Sequence, residues 1–149
     1  MNAQGTNDAP VTGVEHWTHK GDVRLFLWEK FVGSPDGKPA VLFVHGSSMA
    51  SQPTFDLTVP GRPDSSVMDW FARRGFVCWC VDMEGYGRSD KSRDIYCDIG
   101  NGADDLAAAT DYIAGARGVR SFLSYGISSG ALRAALFAQR HPDRVARLA

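Results

Sequence analysis

Long apolar runs are missing from this chain. No stretch of its 149 residues approaches the ~18 consecutive apolar residues of a membrane span, so no membrane partner is expected. The opening Met-Asn-Ala-Gln-Gly-Thr-Asn-Asp-Ala-Pro has neither a basic nor an apolar region. It is therefore not a secretory signal, and the cytoplasm is the expected compartment. Cysteine is scarce, with only Cys78, Cys80 and Cys97. An odd count without a signal argues for reduced thiols. Cys78 and Cys80 alternate in a β-like run and would share a sheet face, about 6.5 Å apart. No further soft ligand lies in sequence reach, which favours two small core residues over a metal site. Charge of one sign is lacking too: 16 Lys and Arg face 17 Asp and Glu. With no basic stripe or polybasic run, no nucleic-acid partner is expected. Phosphate-binding Gly-Lys-Ser/Thr runs are absent, and Gly85-Tyr-Gly87 is a lone glycine pair in a turn. A nucleotide module is disfavoured, and no cofactor is expected.

What is present suits one packed domain, since hydrophobic residues make up 44% of the chain and its length can bury a proper core. Residues 1–11 are polar and predict a flexible tail, leaving a domain over 12–149. Val14–Lys20 and Val23–Val32 flank a Gly21-Asp22 break and predict a β-hairpin. Ala40–Val44, Phe76–Val81 and Val119–Ser124 are short apolar runs of the kind buried on both sheet faces. A long loop, His45 to Pro63, precedes a helix capped by Asp64 or Ser65 and running to Arg74. Asp82–Asp90 is a glycine-punctuated turn. Helices follow over Asn101 to about Ala116 and Ser128–Arg140, the second ended by His141-Pro142. Val145–Ala149 opens another strand. The fold class is α/β: an N-terminal β-hairpin, then a doubly wound, mostly parallel sheet with helices on both faces. Stopping at the start of a strand leads us to expect the N-terminal portion of a longer protein.

Tyr125-Gly-Ile-Ser-Ser-Gly-Ala131 joins the third buried run to the next helix. A tight strand-to-helix turn leaves little room around its central residue, and glycines two before and two after remove the β-carbons that would clash. Gly126 and Gly130 frame Ser128 in this way, whereas centring on Ser129 would put Ile127 and Ala131 there. Ser128 is thus the candidate nucleophile, above the carboxyl edge of the sheet and at a helix N-terminus. The bland reading makes it a helix cap.

Acyl transfer by serine passes through an oxyanion that needs two aimed donors. One candidate is the Ser129 N–H. The other comes from the loop after His45-Gly46: Ser47 first, Ser48 second, with Gly46 letting the chain turn close to the sheet. His45 is either a base or, at the end of a strand, a ring that fixes this loop. Asp82 and Glu84 are either the acid of a triad or internal contacts of their turn, the second being favoured.

Val-Leu-Phe-Val-His-Gly-Ser-Ser, Val-Asp-Met-Glu-Gly-Tyr-Gly-Arg-Ser-Asp, Gly-Ile-Ser-Ser-Gly and His-Pro-Asp-Arg-Val, in this order, resemble the α/β-hydrolase superfamily. The resemblance covers about residues 12–149 and implies a partial α/β-hydrolase fold, up to its sixth strand. It implies Ser128 as nucleophile and the Ser47 and Ser129 amides as oxyanion donors. The implied activity is serine hydrolysis of an ester or related acyl bond in a small-molecule substrate. An acyltransferase shares the acyl-serine intermediate and is the alternative. Serine at the elbow disfavours epoxide hydrolase and haloalkane dehalogenase chemistry, which in this superfamily use aspartate there.

A serine hydroxyl needs a base, usually a histidine oriented by an acid. After Ser128 come only His141 and Asp143, and His141 lies about 20 Å along the same helix. His16 and His19, at i and i+3, fall on opposite strand faces and suit no shared metal. The resemblance places the acid and histidine in a second half that these residues do not include, so the chain alone is expected to be inactive. A non-catalytic product is the remaining reading, self-associating through an exposed sheet edge. Phe55 and Leu57 could line a pocket or simply pack.

Overall fold

Alternation along the central strands sorts the chain into two packed layers. A computed structural model describes residues 9–149. β1 (Val11–Lys20) and β2 (Val23–Val32) form the hairpin, followed by β3 (Ala40–Val44), β4 (Val77–Val81), β5 (Phe122–Gly126) and β6 (Val145–Leu148). They make one six-stranded sheet in the order β1-β2-β4-β3-β5-β6. β2 pairs antiparallel with both β1 and β4, and the remaining pairs are parallel. The helices are α1 (Ser51–Phe55), α2 (Val67–Ala72), α3 (Ile99–Arg117) and α4 (Ser129–Arg140).

Ala40, Leu42 and Val44 of β3 and Val77, Trp79 and Val81 of β4 pack in the same cluster as α3 and α4, through Leu106, Ile113, Ala134 and Phe137. The intervening Val41, Phe43, Cys78 and Cys80 pack against Phe55 of α1 and Met68 and Ala72 of α2. Period-two side chains on a strand covered on both sides require this division. The two cysteines share the second layer, where burial pushes both thiols well above their ordinary range.

Several boundaries differ from those expected. β1 begins at Val11, which pairs with Val32, so the strand opens before Val14. The predicted tail lies outside the described residues as far as residue 8. α1 interrupts the His45–Pro63 loop, held by the Asp82 carboxylate, which accepts from the Ser51 N–H at 2.8 Å. Ser66, rather than Asp64 or Ser65, caps α2 by accepting from the Asp69 N–H. Asp98 caps α3, which therefore starts at Ile99 rather than Asn101. β5 runs later than Val119–Ser124, because register with β3 sets Ala40 opposite Phe122 and Val44 opposite Gly126.

Buried charges tie the hairpin to the rest. Glu29 of β2 is fully buried. It accepts a two-pronged bond from Arg117 at 2.8 Å and a contact from His16 at 2.8 Å. On the other layer, Lys30 is sandwiched by Asp56 and Asp69. A third group anchors the turn after β4. Glu84 is gripped by both prongs of Arg93 at 2.6 Å and by Lys20 at 2.9 Å, while Lys20 also pairs with Asp105. The Arg93 guanidinium, helped by Lys20 and against the effect of burial, holds the Glu84 carboxyl down to about 2 from its ordinary 4.5.

Because the folded state binds this proton less readily than the unfolded state, Glu84 contributes stability that is complete above pH 4.5 and lost as pH falls toward 2. Glu84→Gln is expected to lower stability at neutral pH by about 2 kcal/mol, discounted for the solvent around Arg93, and to flatten this acid limb. Urea titrations from pH 2 to pH 7 check it; parallel pH profiles for the two proteins would refute it.

Candidate active site

The turn between β5 and α4 forces Ser128 into a conformation that a β-carbon resists. Its φ is 53° and its ψ −131°, and it is the only non-glycine with positive φ among the described residues. Such a conformation costs of order 1–3 kcal/mol and persists only where surrounding contacts over-determine it. Those contacts are visible. A Cβ on Gly126 would sit 2.7 Å from the Ala131 Cα, and one on Gly130 would sit 2.6 Å from the His45 carbonyl oxygen and closer still to that of Val44. The Ile127 N–H donates to the Val44 oxygen at 3.2 Å, so the turn is stitched to the end of β3.

Ser128 is exposed, and its side chain makes no capping bond to α4. It occupies the N-cap position of α4 without the side-chain bond by which serine caps a helix. The β3 loop lies directly beside it: a Cβ on Gly46 would meet the Ser128 Cβ at 3.0 Å and its Oγ at 3.5 Å. Ser47 and Ser129 join across the gap, with their hydroxyls 2.6 Å apart. Among the described residues, nothing accepts from the N–H groups of Ser47, Ser48 or Ser129. Gly46 and Ser47 of the β3 loop, distant in sequence, thus converge on the turn that holds Gly126, Ser128, Ser129 and Gly130.

His45 is fully buried and points the other way. Its Nε2 accepts from the Met83 N–H at 3.0 Å, which assigns the ring proton to Nδ1, and Nδ1 donates to the Gly46 oxygen at 2.6 Å. Burial lowers its pKa, keeping the ring neutral. Both nitrogens are committed, so His45 fixes the loop and has no lone pair left for a serine proton. Asp82 accepts from Ser51 and from the Arg88 N–H at 2.9 Å, and Glu84 is held by Arg93 and Lys20. Both carboxylates serve their own turn. His141 closes the far end of α4, His16 packs on Trp79 and Glu29, and His19 is exposed.

Two contributors gave no sign in the sequence. Tyr86 donates its hydroxyl to the Ser47 oxygen at 2.8 Å. Arg133 of α4 is buried and donates to the oxygens of His45 at 3.1 Å and Cys97 at 2.8 Å. An arginine among the alanines of α4 gives no local indication that it turns inward. Only the space left by Gly102, whose Cβ would strike the Arg133 side chain, admits it.

A family model described as the alpha/beta hydrolase fold matches residues 39–149. A proline iminopeptidase of Neisseria meningitidis serogroup A is 30% identical over 125 residues, which are 83% of this chain and 35% of that protein. The chain thus spans about a third of the length of the curated relatives it matches. Among solved structures, epoxide hydrolase A from Mycobacterium thermoresistibile has a TM-score of 0.65 and 27% identity, covering 91% of this chain and 37% of that one. A CIB-like hydrolase from Thermoplasma acidophilum shares the fold, with a TM-score of 0.68 and 20% identity over 91% of this chain and 60% of that one.

Relief of the Ser128 strain is measurable. Ser128→Gly is expected to stabilise the chain by about 1 kcal/mol, while Ser128→Ala, which keeps the β-carbon, changes stability by less than about 0.5 kcal/mol. Denaturant unfolding of the three proteins checks this; a Gly variant no more stable than the Ala variant would refute the strain.

Proposed function

The chain belongs to the α/β-hydrolase fold family, and on that premise we propose that it carries the nucleophile and oxyanion amides of a serine hydrolase acting on an ester or related acyl bond. The carrying observation is the strained, exposed Ser128, free of any cap bond and set against the Gly46 loop. In this reading its Oγ attacks the acyl carbon and its proton passes to an imidazole. The carbonyl oxygen becomes an oxyanion that accepts from the Ser47 and Ser129 N–H groups, with the N-terminal dipole of α4 adding to the field. Collapse expels the alcohol or amine, which takes the proton back from the imidazole. Water then repeats the sequence on the acyl-serine and restores Ser128.

The imidazole and its acid come, in this proposal, from polypeptide outside residues 1–149, since each of the four histidines is engaged or exposed elsewhere. Serine rather than aspartate at 128 favours acyl chemistry over the epoxide opening of the Mycobacterium relative. An alcohol in place of water as acceptor would make the same site an acyltransferase.

A second, non-catalytic reading rests on a different observation. Among the described residues, the outer edge of β6 is unpaired, and an apolar groove of about 210 Å³ runs beside it, lined by Val41, Phe71, Leu123, Tyr125 and Leu148. Self-association through that edge would cover it.

p-Nitrophenyl acetate separates these readings. The product of the whole reading frame is expected to show a burst and steady turnover, with Ser128→Ala lowering kcat by roughly 10³-fold or more. The 149-residue chain alone is expected to stay near the buffer rate. Turnover by the short chain that equals the longer product and vanishes in Ser128→Ala would refute the incomplete-site proposal. Undiminished turnover in Ser128→Ala would remove Ser128 as nucleophile.

A further inference from the structure

Arg133 is 1% exposed, and no carboxylate pairs with it among the described residues. The hydrogen-bond partners of its guanidinium are backbone oxygens: His45 at 3.1 Å, Gly46 at 3.5 Å and Cys97 at 2.8 Å. Among the described residues its Nε has no partner. A buried cation with an unsatisfied donor is costly unless the arrangement serves something else. The carbonyls it gathers belong to the loop that faces Ser128, and it springs from the second turn of the helix that Ser128 opens.

Resting on the serine-hydrolase reading, we infer that Arg133 is the positioning residue of the oxyanion loop, clamping the His45 and Gly46 carbonyls inward so that the amide of Ser47 faces the nucleophile. The reason is peptide planarity. In a trans peptide the C=O and the following N–H point in opposite directions. With the Gly46 oxygen drawn toward His45 Nδ1 and Arg133, the Ser47 N–H must face away from both. Holding the His45 oxygen likewise fixes the preceding peptide plane. Tyr86 repeats the device one residue on, at the Ser47 oxygen, and its ring lies 5.9 Å from the guanidinium. Since Arg133 and Ser128 share α4, loop and nucleophile are held to one rigid element. The positive charge also lies behind the amides, on the side from which it strengthens their pull on an oxyanion. Arg133 reaches the reaction only through the loop.

The test has two arms. In the 149-residue chain, amide exchange at Met83 and Ile127, whose N–H groups are held by His45 Nε2 and the Val44 oxygen at the root of the loop, is compared with exchange at Leu42 and Leu106. Arg133→Met is expected to speed these loop-held amides by roughly tenfold relative to those core positions. In the product of the whole reading frame, the same variant is expected to lower kcat for p-nitrophenyl acetate by roughly tenfold or more with KM nearly unchanged, because the loop acts on the transition state. Arg133→Gln, which keeps one donor, should fall between wild type and Met in both arms, and it decides the matter if the Met variant does not fold. Loop exchange that rises only in step with the core would overturn the inference, as would a loss confined to KM. If wild type shows no Ser128-dependent turnover, the hydrolase reading fails, and the exchange arm alone judges the clamp.

Discussion

Two backbones meet at the carboxyl edge of the sheet with no space for a β-carbon between them. Gly130 lies against the carbonyls of Val44 and His45, and Gly46 lies against Ser128. On the serine-hydrolase reading, the whole site depends on that crossing. A methyl group at Gly130 would drive the end of β3 from the start of α4, carrying the loop amides away from Ser128, and one at Gly46 would press on the Ser128 side chain. Close packing does not spread such a displacement thinly; it moves whole elements. The spatial relation of Ser128 to the loop amides is therefore set by main chain, with side chains added as braces.

The braces show how strain at Ser128 is sustained. A left-handed φ on a residue with a β-carbon is unfavourable, and the Ser128 side chain does not repay it with a cap bond to α4. Compensation comes from further away. Ala134 and Phe137 bury α4 against the sheet, and the Ile127 N–H pairs with Val44. On the neighbouring strand, Asp82 gathers Ser51 and Arg88 while Glu84 is held by Arg93 and Lys20. That rigid turn presents the Met83 N–H to His45 and the Tyr86 hydroxyl to Ser47. Charge pairs far from Ser128 thus decide which way two peptide planes point.

Much of this was legible in residue order because it is local. The unbroken runs of β3 and β4 announce strands covered on both faces, and the spacing of Gly126, Ser128 and Gly130 follows from the steric demand of a single turn. What escaped notice is held by contacts between residues far apart in sequence. α1 has five residues, too short to stand by propensity, and it exists because Ser51 meets Asp82. β5 slides later than its apolar run because pairing with β3 fixes register. The cap of α2 falls on Ser66 rather than its neighbours because the Ser66 hydroxyl also bonds Asp56, which binds Lys30 in turn. Arg133 looks like a surface residue until Gly102 is seen to make room for it.

On the proposed reading, the two halves of the chemistry have different structural requirements, and the fold separates them. Stabilising an oxyanion requires donors fixed before the reaction begins, because amides that must reorient lose their advantage to water. Such fixity is best built from strands, a helix start and buried carbonyl contacts, all of which lie within 149 residues. Moving a proton requires a ring that can shift between two partners and change its charge. His45 is unsuited to that task for the reasons that suit it to the first: it is buried, neutral and bonded at both nitrogens. Converting it to a base would release the Gly46 oxygen and loosen the amide it holds in place. A histidine that braces the oxyanion loop cannot also serve the nucleophile, so the site requires a second imidazole approaching Ser128 from its open side.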